Sequence, residues 1–197
     1  MRQNAGMSET VRPPRQSRSR ESWARVIDVA TAQFEEGGYE ALSISEVCRQ
    51  AKVSAPSIYA RVDGIDGLFR AVYERLIADI QATEHRELDL AEATVERVVA
   101  AAHRIFSRHE QALRAIIGRA TADPELLAEG AQVSRELRDR IAALLPGDPG
   151  AASAAARTIY TECAFRVIYG AEFWREDSES GAAFEAHLTT VVKKILD

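Results

Sequence analysis

Apolar side chains return at steps of three and four along most of the chain, and no segment alternates as a strand would. The first stripe, Trp23, Val26, Ile27, Ala30 and Phe34, predicts an amphipathic helix from Glu21. It stops at Gly37-Gly38, because glycine accepts the positive φ that a helix end prefers. After a short connection, Ser43 with Glu46 three residues later forms a capping box. The box opens a second helix that can bury Ile44, Val47, Cys48 and Ala51. At about two turns, this helix persists only if neighbours hold it. Residues 51–53 are a turn, and Ser54 caps a third helix with Pro56 in its first turn, where an amide proton has no intrahelical acceptor. A continuous helix would place the Pro56 ring against the carbonyl four residues back, so the pattern gives two helices here. Leu68, Val72, Leu76 and Ile80 mark a fourth helix from near Asp63 or Ile65. Amphipathic stretches then run over about 90–108, 110–119, 124–145, 150–174 and 180–196.

The net charge of −5 argues against a nucleic-acid partner until it is divided along the chain. Residues 1–75 carry 11 basic and 10 acidic side chains, and residues 76–197 carry 14 and 20. Arg12, Arg15, Arg18, Arg20 and Arg25 face only Glu21 between positions 11 and 25. Residues 1–20, rich in Arg, Ser and Pro, are expected to be a disordered basic arm ahead of an acidic body. Cys48 and Cys163 match no metal-ligand spacing. None of His85, His103, His109 and His187 has a glutamate three residues upstream, and His109-Glu110 lacks the second histidine of a zinc protease. Neither a glycine-rich phosphate loop nor a nucleophile elbow is present. The expectation is a protein that is not an enzyme and uses no cofactor or metal. Without a secretory core or an eighteen-residue apolar run, it is expected to be cytoplasmic, with no membrane partner.

Val53, Ile58 and Val62 can point inward from the third helix, which leaves Ala55, Pro56, Ser57, Tyr59 and Arg61 outside with Ser54 at the tip. Short side chains, hydroxyls and an arginine suit close approach to a DNA groove. The same pattern also suits a plain helical hairpin. What distinguishes the two is that residues 23–72 resemble the DNA-binding domain of the TetR family of bacterial transcription regulators. Phe34, Gly38 and Tyr39 match the end of its first helix; Ala51, Val53, Ser54, Ile58 and Tyr59 fall in register with its helix-turn-helix, and Leu68 with its fourth helix. Three positions depart: Lys52 stands for the turn glycine, Val62 for an aromatic residue, and Ile65 for a lysine that resembles a phosphate clamp in relatives. Lys52, Arg61 or the arginine arm is left to replace that clamp.

The resemblance implies an all-α chain in which a three-helix DNA-binding domain over residues 21–64 precedes a helical ligand-binding and dimerisation domain over 65–197. It implies a homodimeric, one-component repressor that binds a palindromic operator in double-stranded DNA through Ser43, Lys52, Ser54, Ala55, Pro56, Ser57, Tyr59 and Arg61. A small, largely hydrophobic effector would release it by moving the fourth helix. The candidate pocket is Ala102, His103, Phe106, Glu162, Phe165, Arg166 and Tyr169, and the candidate dimer interface is Ile159, Cys163, Phe184, Leu188, Val191 and Ile195. The competing reading is an all-helical dimeric interaction protein with a degenerate helix-turn-helix.

Overall fold

A computed structural model of the chain describes residues 15–173 and 179–197. Its helices are α1 (Arg15–Gly37), α2 (Ile44–Ala51), α3 (Ala55–Tyr59), α4 (Gly64–Glu87), α5 (Val95–Arg108), α6 (Glu110–Ala120), α7 (Pro124–Ala142), α8 (Pro149–Tyr169) and α9 (Gly181–Leu196). A single 3-10 turn, Tyr39–Ala41, joins α1 to α2. There is no strand among the described residues, and no helix there is long and apolar enough to cross a membrane.

The first core forms where the stripe of α1 meets α2, α3 and α4. Val26, Ala30, Phe34, Val47, Ile58, Leu68 and Val72 are all buried in it. Phe34 lies 5.4 Å from Phe69, and Tyr39 meets the same ring edge-on at 5.4 Å. At the end of α1, Gly38 adopts φ 70, and its amide donates to the Phe34 carbonyl at 2.8 Å. A Cβ on Gly37 would lie 2.6 Å from that of Ala41, so the chain reverses here with no space for a side chain.

This core does not stop at the expected domain boundary of residue 64. Ala112, Ile116 and Ala120 of α6 and Leu126 of α7 belong to the same cluster as Phe34 and Ile58. That position is the start of α4, which runs through the first core with Leu68, Phe69, Val72, Tyr73, Leu76 and Ile80. The second core joins α5, α7, α8 and α9 through Val98, Ala102, Ile105, Ile141, Ile159, Cys163, Leu188 and Val192. Ala152, Ala155 and Ala156 on the inner face of α8 are small enough to let its neighbours approach closely.

Three limits differ from the sequence expectation. α1 begins at Arg15 instead of Glu21, so residues 15–20 of the expected arm are helical, while residues 1–14 lie outside the described residues. The added turn is polar and carries no apolar periodicity. α3 ends at Tyr59, although Arg61 and Val62 still donate backbone bonds to the Ile58 carbonyl. α8 ends at Tyr169, where Gly170 takes φ 86 and donates to the Arg166 carbonyl; Trp174 lies outside the described residues.

The turn between α2 and α3 keeps its geometry without glycine. Lys52 adopts φ 56 and ψ 48, the left-handed conformation, and its amide bonds to the Cys48 carbonyl. It is the one non-glycine residue with positive φ among the described residues. That conformation costs an L-residue about 1–2 kcal/mol, and glycine returns part of the gain as chain entropy in the unfolded state. Lys52→Gly is therefore expected to stabilise the fold by roughly 0.5–1 kcal/mol in urea denaturation. An unchanged or lower midpoint would show that the lysine sits there without strain.

Candidate nucleic-acid interface

The two-helix unit is fixed from below. Ser43 caps α2, its hydroxyl accepting from the Glu46 amide at 3.4 Å, while its own amide donates to Gln33 Oε1 at 3.1 Å. Arg25 of α1 donates to the Ala51 carbonyl at 3.3 Å and so satisfies an orphan acceptor at the end of α2. Arg49 and Gln50 beside Glu46 hold its carboxyl down at about 2, which leaves α2 with a charge-cancelled outer surface.

On α3 the burial alternates sharply between neighbours. Ile58 is 0% exposed and Tyr59 is 56% exposed. Lys52, Ser54, Pro56, Ser57 and Arg61 are exposed with Tyr59, and Ala55 is half-buried. Ser54 does not close the N-terminus of α3 with its side chain, as the sequence suggests. Its hydroxyl lies instead 2.8 Å from that of Ser57, so both are presented as one pair on the outer surface.

Beside this face runs a groove that the sequence did not disclose. Arg18, Ser19, Ser22 and Trp23 of α1 form one wall, and Lys52, Ser54, Ser57 and Arg61 the other. Arg61 bridges them, donating to the Ser19 hydroxyl at 2.7 Å and its carbonyl at 3.2 Å, with its guanidinium 5.1 Å from the Trp23 ring centroid. The extra helical turn at the start of α1 makes this bridge, and a helix starting at Glu21 could not. Ile65 packs half-buried against the first core, so this position supplies packing and no cation.

A cavity of about 240 Å³ lies behind the unit, among α4, α5, α6, α7 and α8. Apolar side chains such as Ile77, Ile80, Ile105, Ile116 and Leu126 line it, and Leu127, 56% exposed, marks its rim. Its polar groups are Tyr73, Glu84, Thr121, Ser134 and Tyr160. Glu84 is buried and accepts from Arg140 at 2.9 Å; burial pushes its pKa up and Arg140 pulls it back.

Of the pocket residues expected from sequence, the structure places Phe106 in this cavity and the others elsewhere. Ala102 is fully buried in the second core. His103 is turned toward α9, 2.7 Å from Glu185. Glu162, Phe165 and Arg166 line an open depression against the start of α9, where Arg166 donates to the Glu179 carbonyl at 2.6 Å, and Tyr169 is exposed beside it. The expected interface also divides. Ile159, Cys163, Phe184 and Leu188 are buried in the chain's own core, because these faces of α8 and α9 turn toward α5; Val191 and Ile195 are half-buried. Burial pushes the Cys163 thiol up to about 12, which makes it an inert core residue.

What was missed had a signal in Glu84. Leu76, Ile80 and Glu84 follow one another at four-residue steps, so a carboxylate continues a buried stripe.

Residues 26–72 match the family described as bacterial regulatory proteins, tetR family. The chain is 35% identical over 74 residues to the HTH-type transcriptional repressor ComR of Escherichia coli (strain K12), a match covering 38% of this chain and 35% of that protein. It is 27% identical over 67 residues to the A-factor receptor protein of Streptomyces griseus, covering 34% of this chain and 24% of that protein. The chain thus spans about a third or less of the length of these relatives. Over 89% of its length it shares the fold of a protein described as a transcriptional regulator from Streptomyces coelicolor A3(2), with a TM-score of 0.69 and 17% identity, the match covering 98% of that chain. Residues 26–72 thus belong to the tetR family of bacterial regulatory proteins, and the helical body behind them shares its fold with the Streptomyces coelicolor protein.

Proposed function

We propose that the protein is a homodimeric transcriptional repressor that occupies palindromic operator DNA and leaves it when a small, mostly apolar effector fills the cavity among α4 to α8. The observation that carries this reading is the split across α3. One residue, Ile58, anchors the helix in the core, and its neighbour Tyr59 stands clear with Ser54, Ser57 and Arg61 around it. Short and hydroxyl-bearing side chains allow base-edge and phosphate contacts at close range. Two copies would place their third helices in successive major grooves, roughly 34–36 Å apart.

The cavity and the DNA face share material, which supports a coupled switch. α4 places Tyr73, Ile77, Ile80 and Glu84 on the cavity and Leu68 and Phe69 in the core beneath α3. Arg70 ties α4 to α7 through Glu129 at 2.9 Å and Glu125 at 3.2 Å. Arg119 of α6 lies 4.1 Å over the Tyr39 ring, and the Tyr39 hydroxyl bonds to Asp66 at the start of α4. An effector that shifts α4 or α6 thereby moves the platform of α3, with couplings of this kind worth about 1–3 kcal/mol.

The dimer is assigned to the outer face of α8 and α9. Ala183, Ala186 and Thr190 of α9 are exposed about one turn apart, and so are Ala154, Arg157 and Thr161 of α8. Small side chains at these steps let two helix pairs pack closely. Ala186→Arg is expected to convert the protein to a monomer by light scattering and to weaken DNA binding with it. A dimer that survives this change unaltered would place the interface elsewhere. The test of the function itself is titration of the full chain into a fluorescent duplex carrying its selected site, with and without ligand.

A further inference from the structure

The cavity among α4 to α8 has a hydrogen-bonding character that its apolar lining conceals. Ser134 donates its hydroxyl proton to the Gly130 carbonyl at 2.7 Å, and its oxygen lies 2.6 Å from the Tyr160 hydroxyl. A serine hydroxyl has one proton, so Tyr160 is the donor in that pair, and its oxygen keeps only acceptor capacity. Thr121 likewise donates to the Gly118 carbonyl at 2.8 Å. Glu84 is an acceptor by nature, and Arg140 occupies one of its oxygens at 2.9 Å. Arg140 does not line the cavity. Four of the five polar side chains on the wall, Glu84, Thr121, Ser134 and Tyr160, therefore present oxygen lone pairs and have no proton to give; Tyr73 is the one further hydroxyl.

Such a wall discriminates between ligands of equal size. An ether, ester or ketone brings acceptors that lose their water and meet four proton-less oxygens against the single Tyr73 hydroxyl, and a carboxylate also meets the charge of Glu84. A hydroxyl or N–H finds acceptors on several sides. Size narrows the class further. An apolar cavity of about 150 Å³ holds a benzene molecule. At about 240 Å³, this one takes a ring with a short apolar extension and is too small for a long acyl chain.

We propose that the effector is a compact, non-anionic molecule with a ring-sized apolar body and a hydrogen-bond donor, held by the Glu84 carboxylate and the Tyr160 oxygen. This rests on the reading of the cavity as the effector site, and it can fail while that reading stands.

The test is calorimetric titration of the full-length protein, without DNA, using four probes of matched body: 4-propylphenol, 4-propylanisole, 4-propylbenzoate and 4-propyltoluene. The phenol is expected to bind about tenfold or more tightly than the other three, the gap that one hydrogen bond to a charged acceptor supports. Tyr160→Phe and Glu84→Gln should each narrow the gap between phenol and anisole, with little change for the toluene. Tyr160→Phe keeps the ring that packs edge-on to Phe106 at 5.2 Å, so it serves if Glu84→Gln leaves Arg140 unpaired and the protein unfolded. Equal binding of phenol and toluene would keep the cavity as a ligand site and overturn the donor assignment. Tightest binding of anisole or benzoate would also overturn it. Binding of none of the four would remove both the assignment and the cavity reading, whatever the protein does on DNA.

Discussion

Replacing Tyr59 with alanine is expected to weaken operator binding by roughly 1–3 kcal/mol for each half-site, and a dimer carries the loss twice. The side chain is 56% exposed, so its removal leaves no cavity, and the thermal midpoint should stay where it is. The neighbouring exchange Ile58→Ala should behave in the opposite way. Ile58 is 0% exposed and sits in the first core with Phe34, Val47 and Leu68, so its truncation should cost about 2–5 kcal/mol of stability. It would affect DNA binding only through loss of the fold. Fluorescence anisotropy and urea denaturation on the same two variants separate these effects. Unchanged affinity for Tyr59→Ala would mean that α3 does not read the operator.

The second large effect is expected at Phe34. Its ring is 0% exposed and packs 5.4 Å from Phe69, which in turn lies 5.4 Å from Tyr39 and 6.3 Å from Tyr73. Deleting a buried aromatic ring of this kind costs about 3–5 kcal/mol, a large part of the 5–15 kcal/mol that holds a domain folded. Because the same cluster includes Ile116 of α6 and Leu126 of α7, the loss should not stay within the helix-turn-helix. Amide exchange is expected to accelerate in α1, α4 and α6 together. Loss of protection confined to α1–α3 would show that the amino-terminal unit opens independently, as a domain boundary at residue 64 implies.

The parts of the fold that depend on local chemistry were legible in the sequence. The Ser43 cap of α2, the turn around Lys52 and the proline that forbids a continuous helix each act over a few residues, and the structure has all three in place; the other half of the capping box is not made, because the Ser43 amide donates to Gln33 and the Glu46 carboxylate accepts from Arg49 and Gln50. The burial of Ile44, Val47, Cys48 and Ala51 follows from their spacing, with Val47 and Ala51 fully enclosed. What remained hidden depends on which way a helix faces. α8 is apolar on most sides, so periodicity gives it no direction: its inner-face Ile159 and Cys163 were assigned to a dimer interface, and Glu162, Phe165, Arg166 and Tyr169, which lie outside that face, to a pocket. Tyr160 turned out to line the cavity, and Tyr169 turned out to be exposed. α4 passes for a connector in the sequence, yet it walls the cavity with Glu84 and supports α3 with Leu68. The first turn of α1 was invisible for another reason. Its residues are polar, and Arg61 grips it through Ser19 from a position 42 residues away.

The proposed repressor recognises a defined DNA sequence as a dimer. The most direct measurement is selection of bound sequences from a pool of random duplexes by the purified full-length protein, at low and at near-physiological salt. Enrichment of a palindrome is expected, with half-sites centred about one helical turn apart or slightly more, the same motif at both salts and weaker retention at the higher one. A pool that stays random at both salts, in the absence of any ligand, would contradict it.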